Sequence, residues 1–390
     1  MRRMAAQMSA SAADDLWSSL PDDLVGAIYN KIASSLDRVR FKAVSGSWRA
    51  AASAQWPAPT FPWLVLSQYE DGTAERVFCP VDGALLRVPL PPEAAGKRLV
   101  GCHDGGWIGA TSDVDGDCNS LVIVNLFSGI EVPLSAKQRT TRMIRKLVFS
   151  EAPTSKKCIL AANLNGTVAV CRVGCRKRGW WTSKWDQFLN DIVFCHGKLY
   201  AITRSVWTLS VFDIRLTKNA WPMLTLTHQL NMNLGEHTGW VKSMCRNSTY
   251  LVRQRDTLFM ALRVHWCTEQ QSFFKVYELV NTDDMCSSWQ EVTTLGHCAL
   301  FLSAMCSRAV HVPTGRHSGI EKNRIYYNHR CSRTQHDATR DDVHLGRCDN
   351  GDHLYHLRAR KVNIVDAIMS VGYYVAGGSH TLGWLLPPDF

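Results

Sequence analysis

Three prolines near residue 60 divide this chain into two parts that have different hydrophobic patterns. Pro57, Pro59 and Pro62 lie within six positions. Proline lacks a backbone N–H and clashes with the preceding helical turn, so no helix continues through this segment. We predict a disordered leader at residues 1–14, a helical module at 15–55, a linker at 56–62 and an all-β domain at 63–390.

The segment before the linker has the hydrophobic spacing of short helices. Leu20, Leu24 and Ile28 follow one another at intervals of four residues, as do Val44 and Trp48. This interval places side chains on one side of a helix. Three helices in about 40 residues enclose too small a core for a stable domain. We therefore expect a partner to cover the apolar surface that they leave exposed.

Two polar sites mark the predicted boundaries of these helices. Asp37 is placed to cap the second helix, because an Asp side chain accepts hydrogen bonds from the free N–H groups of a first turn. Ser45-Gly46-Ser47 is predicted to separate that helix from a third helix, which starts near Trp48. The intervening Ala33-Ser34-Ser35 is interpreted as an ordinary turn between helices.

The residues after the linker form short runs rich in β-branched and aromatic side chains. Asn165-Gly166 and His196-Gly197 are typical of tight turns between antiparallel strands. About 320 residues of such strands fit a β-propeller, in which sheets repeat around an axis, and one or two irregular β-sandwiches are the alternative. A Gly-Trp pair recurs at 106–107, 179–180, 239–240 and 383–384, which favours the repeat. The predicted fold class is thus α+β and multidomain, with three helices followed by an all-β propeller.

Composition restricts the chemistry that the chain offers. The formal net charge is +10, and 14 cysteines are scattered among 390 residues. The densest basic run, at 172–178, is interpreted as a solvated loop and not as a nucleic-acid site. No Cys-x-x-Cys pair occurs, so no metal site is predicted. The cysteines are expected to be reduced.

No motif of an enzyme is present. The sequence lacks a Gly-x-Ser-x-Gly turn, a Gly-x-x-x-x-Gly-Lys phosphate loop and a His-Glu-x-x-His zinc site. Residues 113–117 begin like a calcium loop, but Cys118 and Val124 stand where that loop needs glycine and glutamate. We predict neither a catalytic site nor a cofactor. Without an apolar run of membrane-spanning length or a secretory signal, no membrane partner is predicted, and the chain is expected in the cytoplasm, the nucleus or both.

The residues of the helical module resemble the F-box in order and spacing. The resemblance is carried by Leu20-Pro21-Asp22-Asp23-Leu24-Val25, Ile28, Ile32, Asp37-Arg38, Val44 and Ser47-Trp48-Arg49. It implies docking on a Skp-type adaptor, which in turn binds a cullin. The implied adaptor-binding residues are Leu20, Pro21, Leu24, Ile28, Val44 and Trp48. One or two of them, with Ile28 and Val44 as the first candidates, are expected to lie in the module's own core.

The β-domain is similar to the C-terminal domain of plant F-box proteins, which looks like a kelch-like propeller. The similarity is carried by segments such as Phe61-Pro62-Trp63-Leu64, Gly105-Gly106-Trp107-Ile108 and Asp191-Ile192-Val193-Phe194. It implies the substrate receptor of an SCF-type cullin ubiquitin ligase, in which the β-domain binds a protein substrate. The alternative is a scaffold or binding protein that has a degenerate F-box and acts independently of ubiquitin. The substrate, the number of sheets and the role of Trp384 in closing a ring are left open.

Overall fold

The structure is a computed structural model that describes the helical module and most of the β-domain. The described residues are 17, 20–55, 59–67, 74–112, 119–141, 143–164, 166–175, 177–183, 187–203, 208–231, 248–265, 272–283, 286–314, 319–328, 345–350, 368–375 and 381–387. The predicted leader, residues 56–58 of the linker and the acidic loop at 113–118 lie outside them. Within the described part, no helix has the length and apolar character needed to cross a membrane.

Over residues 20–55 the structure describes three short helices: α1 (Asp22–Tyr29), α2 (Ser35–Ala43) and α3 (Gly46–Ser53). The Oγ atom of Ser34 caps α2 by accepting a hydrogen bond from the backbone N–H of Asp37 (3.1 Å). Ser45 caps α3 in the same way, with the N–H of Trp48 as the donor (3.1 Å). The prediction that Asp37 is the cap is wrong, because α2 begins two residues earlier and the Asp37 carboxylate accepts from Arg40 instead (2.9 Å).

The core of the module is small. Its buried apolar residues are Val25, Tyr29, Phe41, Ala51 and Ala52. Phe41 contacts Tyr29 with a ring-centroid distance of 5.5 Å and Trp48 with one of 4.4 Å. Burial of a large apolar side chain contributes about 2 kcal/mol, whereas ordering the backbone costs about 1–2 kcal/mol per residue. The module therefore depends on contacts beyond its own core.

The described residues of the β-domain form six sheets, and the first three are built from residues 63–182 together with the last described strand. Sheet 1 has β1 (Trp63–Ser67), β2 (Ala74–Cys79), β3 (Ala84–Pro89) and the last strand, β25 (Thr381–Leu385). Sheet 2 has β4 (Arg98–His103), β5 (Trp107–Thr111), β6 (Asn119–Asn125) and β7 (Thr140–Thr141), with the one-turn helix α4 (Ala136–Arg139) before β7. Sheet 3 has β8 (Ile144–Phe149), β9 (Ile159–Leu164), β10 (Thr167–Arg172) and β11 (Trp181–Thr182).

The other three sheets follow in chain order. Sheet 4 has β12 (Leu189–Cys195), β13 (Lys198–Thr203), β14 (Thr208–Leu216) and β15 (Pro222–Asn231). Sheet 5 has β16 (Ser248–Gln254), β17 (Thr257–His265), β18 (Ser272–Asp283) and β19 (Cys286–Val292). Sheet 6 has β20 (Cys298–Leu302), β21 (Arg308–His311), β22 (Arg324–Asn328), β23 (Leu345–Asn350) and β24 (Met369–Val375).

The sheets follow one another around a ring. Sheets 1 to 5 are four-stranded and antiparallel, whereas sheet 6 is mixed because β22 runs parallel to both β20 and β24. One edge strand of each sheet lies on the inside of the ring, and we call it the inner strand. The inner strands of sheets 1 to 5 contact one another in the order β25, β4, β8, β12 and β16, and β16 contacts β21 of sheet 6. Sheet 6 packs against sheet 1 through a shared core that contains Phe61, Phe301 and Trp384. The predicted β-propeller is confirmed, and the alternative of β-sandwiches is wrong.

The two ends of the β-domain meet in sheet 1. Strand β25 pairs antiparallel with β1, and Leu64 lies opposite Trp384. The Trp384 indole N–H donates to the carbonyl of Leu302 in sheet 6 (3.1 Å), and its ring is fully buried. The last strand therefore forms the inner strand of the first sheet and closes the ring, because backbone hydrogen bonds and a buried aromatic core join the ends.

An irregularity recurs in the inner strands of three successive sheets. The register slips by one residue before Gly101, Lys146 and Asp191. Lys146 and Asp191 are 45 residues apart, and Gly101 precedes Lys146 by the same interval. A β-bulge re-aims the side chain that follows it, and in this case Lys146 Nζ meets Asp191 Oδ1 between the two inner strands (2.5 Å). The structural repeat of the propeller is visible at these positions.

The recurring Gly-Trp pairs do not mark that repeat. Trp107 begins β5, the second strand of its sheet, whereas Trp180 lies just before the outer strand of sheet 3 and Trp384 lies in an inner strand. Residues 239–240 lie outside the described part. The turn predicted at His196-Gly197 is confirmed, since Cys195 pairs with Lys198 across it and both turn residues have positive φ.

Candidate functional site

The six residues predicted to bind an adaptor differ in exposure. Leu24, Ile28 and Val44 are exposed by 50%, 41% and 59%, and Pro21 is exposed as well. Leu20 and Trp48 are half-buried and pack against the core of the module. The expectation that Ile28 and Val44 lie in that core is wrong.

Helical geometry explains which side chains of α1 remain outside. Val25 and Tyr29 are one turn apart and point into the module core. Leu24 and Ile28 each precede one of them by a single residue, which rotates the side chain by about 100° around the helix axis. These leucine and isoleucine side chains therefore share a face of α1 that stays about half exposed. Asp22 and Asp23 lie in the first turn of the same helix, where acids are favourable.

Val44 lies at a different place, in an open cleft between the module and the propeller. Besides Val44, the cleft is lined on the module side by Ile32, Ala33, Ser34, Asp37, Arg40 and Phe41 and on the propeller side by Val81 and Asp82. The structure thus brings Leu24 and Ile28 together, and it places Val44 near the boundary between the domains.

Trp48 is partly covered by a residue that precedes α1. The Trp48 indole N–H donates to the backbone carbonyl of Trp17 (3.3 Å), and the two rings meet edge to face at 6.4 Å. Trp17 is itself 58% exposed. Trp17 is absent from the predicted site residues. It does not belong to the four-residue spacing of Leu20, Leu24 and Ile28, so the sequence pattern did not indicate it.

The module is fixed to sheet 1 by the start of α2. Ser34 Oγ donates to Asp82 Oδ2 (2.9 Å), and the buried Trp63 indole N–H donates to Ser35 Oγ (2.8 Å). Leu36 packs against the core that sheets 1 and 2 share. The interpretation of Ala33-Ser34-Ser35 as an ordinary turn misses this contact. Its only sequence signal is a pair of serines, and their partners lie 48 and 28 residues away.

A cysteine thiol completes the contact around Asp82. Cys79 Sγ donates to the same Oδ2 atom that accepts from Ser34 (2.9 Å). Burial and the neighbouring carboxylate raise the pKa of the Cys79 thiol to about 12, so the thiol keeps its proton at neutral pH and remains a donor. Asp82 thereby bridges the module and the turn between β2 and β3.

Replacing Asp82 by alanine is expected to loosen the module without unfolding the propeller. The change removes the carboxylate that accepts hydrogen bonds from Ser34 and Cys79. Accepting them stabilises the contact by about 1 kcal/mol, and the variant loses this contribution. Hydrogen–deuterium exchange of the α2 amides should become several times faster. Asp256→Ala, whose carboxylate is 91% exposed, is the matched control and should leave that exchange unchanged. Equal exchange rates in both variants would show that Asp82 does not hold the module.

Metal chemistry has no support in the described part of the chain. Among those residues, no three or more His, Cys, Asp or Glu side chains are grouped as metal ligands. Cys195 is buried and His196 is exposed at the adjacent turn, so the two side chains of that pair do not converge. The described face of α1 thus presents exposed apolar side chains, Leu24 and Ile28.

Comparisons with known proteins agree with these two units. A family model described as the KIB1-4 beta-propeller matches residues 77–355. F-box protein At2g26160 of Arabidopsis thaliana is 22% identical over 335 residues, which cover 80% of this chain and 95% of that protein. Putative F-box protein At3g25750 of the same plant is also 22% identical, over 339 residues that cover 80% of this chain and 87% of that protein. F-box protein SKIP23, again from Arabidopsis thaliana, is 46% identical over 44 residues, which are 11% of each chain.

Proposed function

Because the chain belongs to the KIB1-4 beta-propeller family, and relatives that match most of its length are named F-box proteins, we propose that it is a substrate receptor of a cullin ubiquitin ligase. The helical module docks on a Skp-type adaptor that binds the cullin, and the propeller binds a protein substrate. The resemblance to plant F-box proteins that end in a β-propeller is confirmed by these matches.

The exposed pair Leu24 and Ile28 on α1 is the observation that carries the adaptor half of the proposal. The module is too small to bury these side chains, and neighbouring exposed apolar side chains on a small helical unit are typical of a protein-docking surface. Pro21 extends the exposed surface at the start of α1. The described contacts of the module with the propeller include those of Ser34 and Ser35, while Leu24 and Ile28 remain exposed.

The proposed mechanism is proximity and not catalysis by this chain. A receptor that holds a substrate beside the ligase raises the effective concentration of that substrate at the site of ubiquitin transfer. The contacts between α2 and sheet 1 support this role, because a fixed module holds the propeller at a defined position relative to the adaptor. Such a role requires a compartment that contains the ligase core, and we expect the cytoplasm, the nucleus or both.

Co-expression of the full chain with a Skp-type adaptor and the adaptor-binding domain of a cullin tests the proposal. Size-exclusion chromatography is expected to yield a complex with one copy of each protein. A folded, soluble chain that elutes alone would overturn the adaptor half. It would favour the alternative of a scaffold that acts without ubiquitin. The chain could also join the complex while its loss from cells leaves all protein half-lives unchanged. That result would overturn the substrate half of the proposal.

A further inference from the structure

Four connections that are distant in sequence bring basic side chains together on one surface of the propeller. They are α4, the β8–β9 turn, the β10–β11 loop and the β14–β15 turn. The exposed basic residues on them are Lys137, Lys156, Lys157, Lys177, Arg178 and Lys218. We call these six residues the basic rim. In the sequence only Lys177 and Arg178 fall within the basic run at 172–178, and the other four are contributed by the tertiary structure.

The β10–β11 loop holds the basic rim together through close backbone contacts. A side chain at Gly174 would collide with the carbonyl oxygen of Lys156, and one at Gly179 would approach the carbonyl oxygen of Lys137 to 2.6 Å. Only glycine allows the loop to pass this close to both segments. The Trp221 indole N–H donates to the Gly179 carbonyl (3.0 Å), which ties the β14–β15 turn to the same loop.

The charges of the basic rim are not neutralised within the described part of the chain. None of the six side chains forms a salt bridge with an acid that the structure describes. Glu131 lies nearby but pairs with Arg139 (2.5 Å). Glu151 on the β8–β9 turn accepts a hydrogen bond from Ser155 (2.7 Å) and keeps its charge, so one acid stands beside the six basic residues. A group of unpaired positive charges on an ordered surface attracts anionic ligands at long range.

The aromatic residues of this region argue for a protein ligand and not for single-stranded nucleic acid. Single-strand binders offer exposed aromatic faces on which bases stack. In this region Trp180 packs against the core of sheets 2 and 3 and donates its N–H to Gln138 O (2.9 Å). Trp181 packs against a second core, and the Arg178 guanidinium covers the Trp221 ring at 5.2 Å. Among the described residues, this surface therefore presents cations while its three tryptophans are engaged in packing.

The topology places the basic rim on the same end of the propeller as the helical module. The module contacts the turn between β2 and β3, which are the third and fourth strands of sheet 1 counted from the inner edge. The β10–β11 loop and the β14–β15 turn join the corresponding strands of sheets 3 and 4. Strand directions alternate in antiparallel sheets, so corresponding turns emerge at the same end. A ligand on the basic rim would thus lie on the side from which the adaptor is held.

We propose that the basic rim binds an acidic segment of the protein substrate, in which the negative charge is carried by Asp and Glu or by phosphoserine. Carboxylates and phosphates both accept charge-assisted hydrogen bonds from Lys and Arg, and recognition of acidic motifs by basic clusters is a recurrent mode of peptide binding. This inference rests on the proposed function, since it assigns the substrate class of the same receptor.

Fluorescence anisotropy with the full chain tests the proposal. The probes are a labelled peptide of alternating Glu and Ser, its phosphoserine form, its neutral Gln form and a labelled oligothymidine of similar length. The rim variant combines three substitutions, Lys156→Gln, Lys177→Gln and Lys218→Gln. We expect it to bind the acidic peptide that the wild type prefers about tenfold more weakly, since each exposed charge contributes modestly. The control Arg87→Gln, Arg145→Gln, Lys322→Gln removes the same charge from exposed positions elsewhere and should change the affinity less than about twofold.

Three results would overturn the inference. They are equal losses in the rim variant and the control, no wild-type binding of either acidic peptide, and tighter binding of oligothymidine than of both peptides. The last result would assign the surface to nucleic acid. Co-purification of each variant with the adaptor separates this test from the proposed function. A rim variant that keeps the adaptor but loses the peptide supports the inference, whereas a wild type that binds the peptide but not the adaptor overturns only the ligase role.

Discussion

A chain that carries Leu24→Ser and Ile28→Ser is expected to bind a Skp-type adaptor at least about a hundredfold more weakly than the wild type. The two side chains are 50% and 41% exposed. Covering their remaining surface in an interface contributes on the order of 1.5 kcal/mol for each side chain, and central apolar anchors carry most of the binding energy of an interface. Each serine also brings a hydroxyl that must lose its water.

Isothermal titration calorimetry of the full chain against the adaptor measures this effect. Leu85→Ser and Ile130→Ser form the matched control, because these side chains are 46% and 58% exposed on the propeller. The control should retain the wild-type affinity. Both double variants should keep nearly the wild-type melting temperature, since exposed substitutions cost about 0.5 kcal/mol each. Equal adaptor affinities for the two variants would exclude Leu24 and Ile28 from the docking surface.

The structure changes which substitutions are informative at this site. Leu20 packs against the module core, so Leu20→Ala removes stabilising contacts together with any contact to the adaptor. The same is true of Trp48, whose ring lies against Phe41. Leu24 and Ile28 contribute little to the fold of the free chain, and their substitution therefore reports on binding.

Asp191→Ala is expected to lower the free energy of unfolding by about 3–5 kcal/mol, the usual cost of breaking a buried ion pair. The carboxylate and its partner Lys146 are almost fully buried, with side-chain exposures of 4% and 6%. Asp191 also accepts from the backbone N–H groups of Ile192 and Leu251 (2.8 Å each). Its removal leaves a buried ammonium and two buried N–H groups without their acceptor. Because Leu251 lies in β16, the substitution affects the inner strands of sheets 3, 4 and 5.

Urea denaturation at neutral pH measures this loss, and Asp213→Ala provides the control. Asp213 also pairs with a lysine, Lys198 (3.3 Å), but the two side chains are 36% and 40% exposed. Solvent screens such a pair, so the control should cost at most about 1 kcal/mol. If Asp191→Ala were no more destabilising than Asp213→Ala, the ion pair between the inner strands would not hold the ring together.

Local patterns in the sequence predict the elements of this fold because their physical causes are local. A four-residue spacing predicts the module helices, since 3.6 residues make one turn. Prolines stop the helices before β1, and turn residues such as His196-Gly197 predict a hairpin. The helix caps are less visible, because several polar residues near a helix start can accept the same N–H groups. For this reason the sequence favours Asp37 as a cap that Ser34 in fact provides.

The repeat of the propeller is not visible as a sequence motif. The positions that repeat in space are occupied by three different residue types, Gly101, Lys146 and Asp191. Each residue type suits the neighbour that it contacts. A side chain at Gly101 would collide with the Leu147 carbonyl oxygen, whereas Lys146 and Asp191 complete an ion pair. Identity at these positions is not required, because only the combination across neighbouring strands is constrained.

By itself, the sequence determined that three helices precede a linker and a long all-β domain, and it identified the F-box-like order of residues. These properties depend on neighbours within a few positions, where periodicity, prolines and glycine turns act. Only the tertiary structure decided that Leu24 and Ile28 face outward while Leu20 faces the core, that β25 closes the first sheet, and that four connections assemble the basic rim. Those outcomes depend on contacts between residues far apart in the chain, and the partner in such a contact leaves no local signal in the sequence.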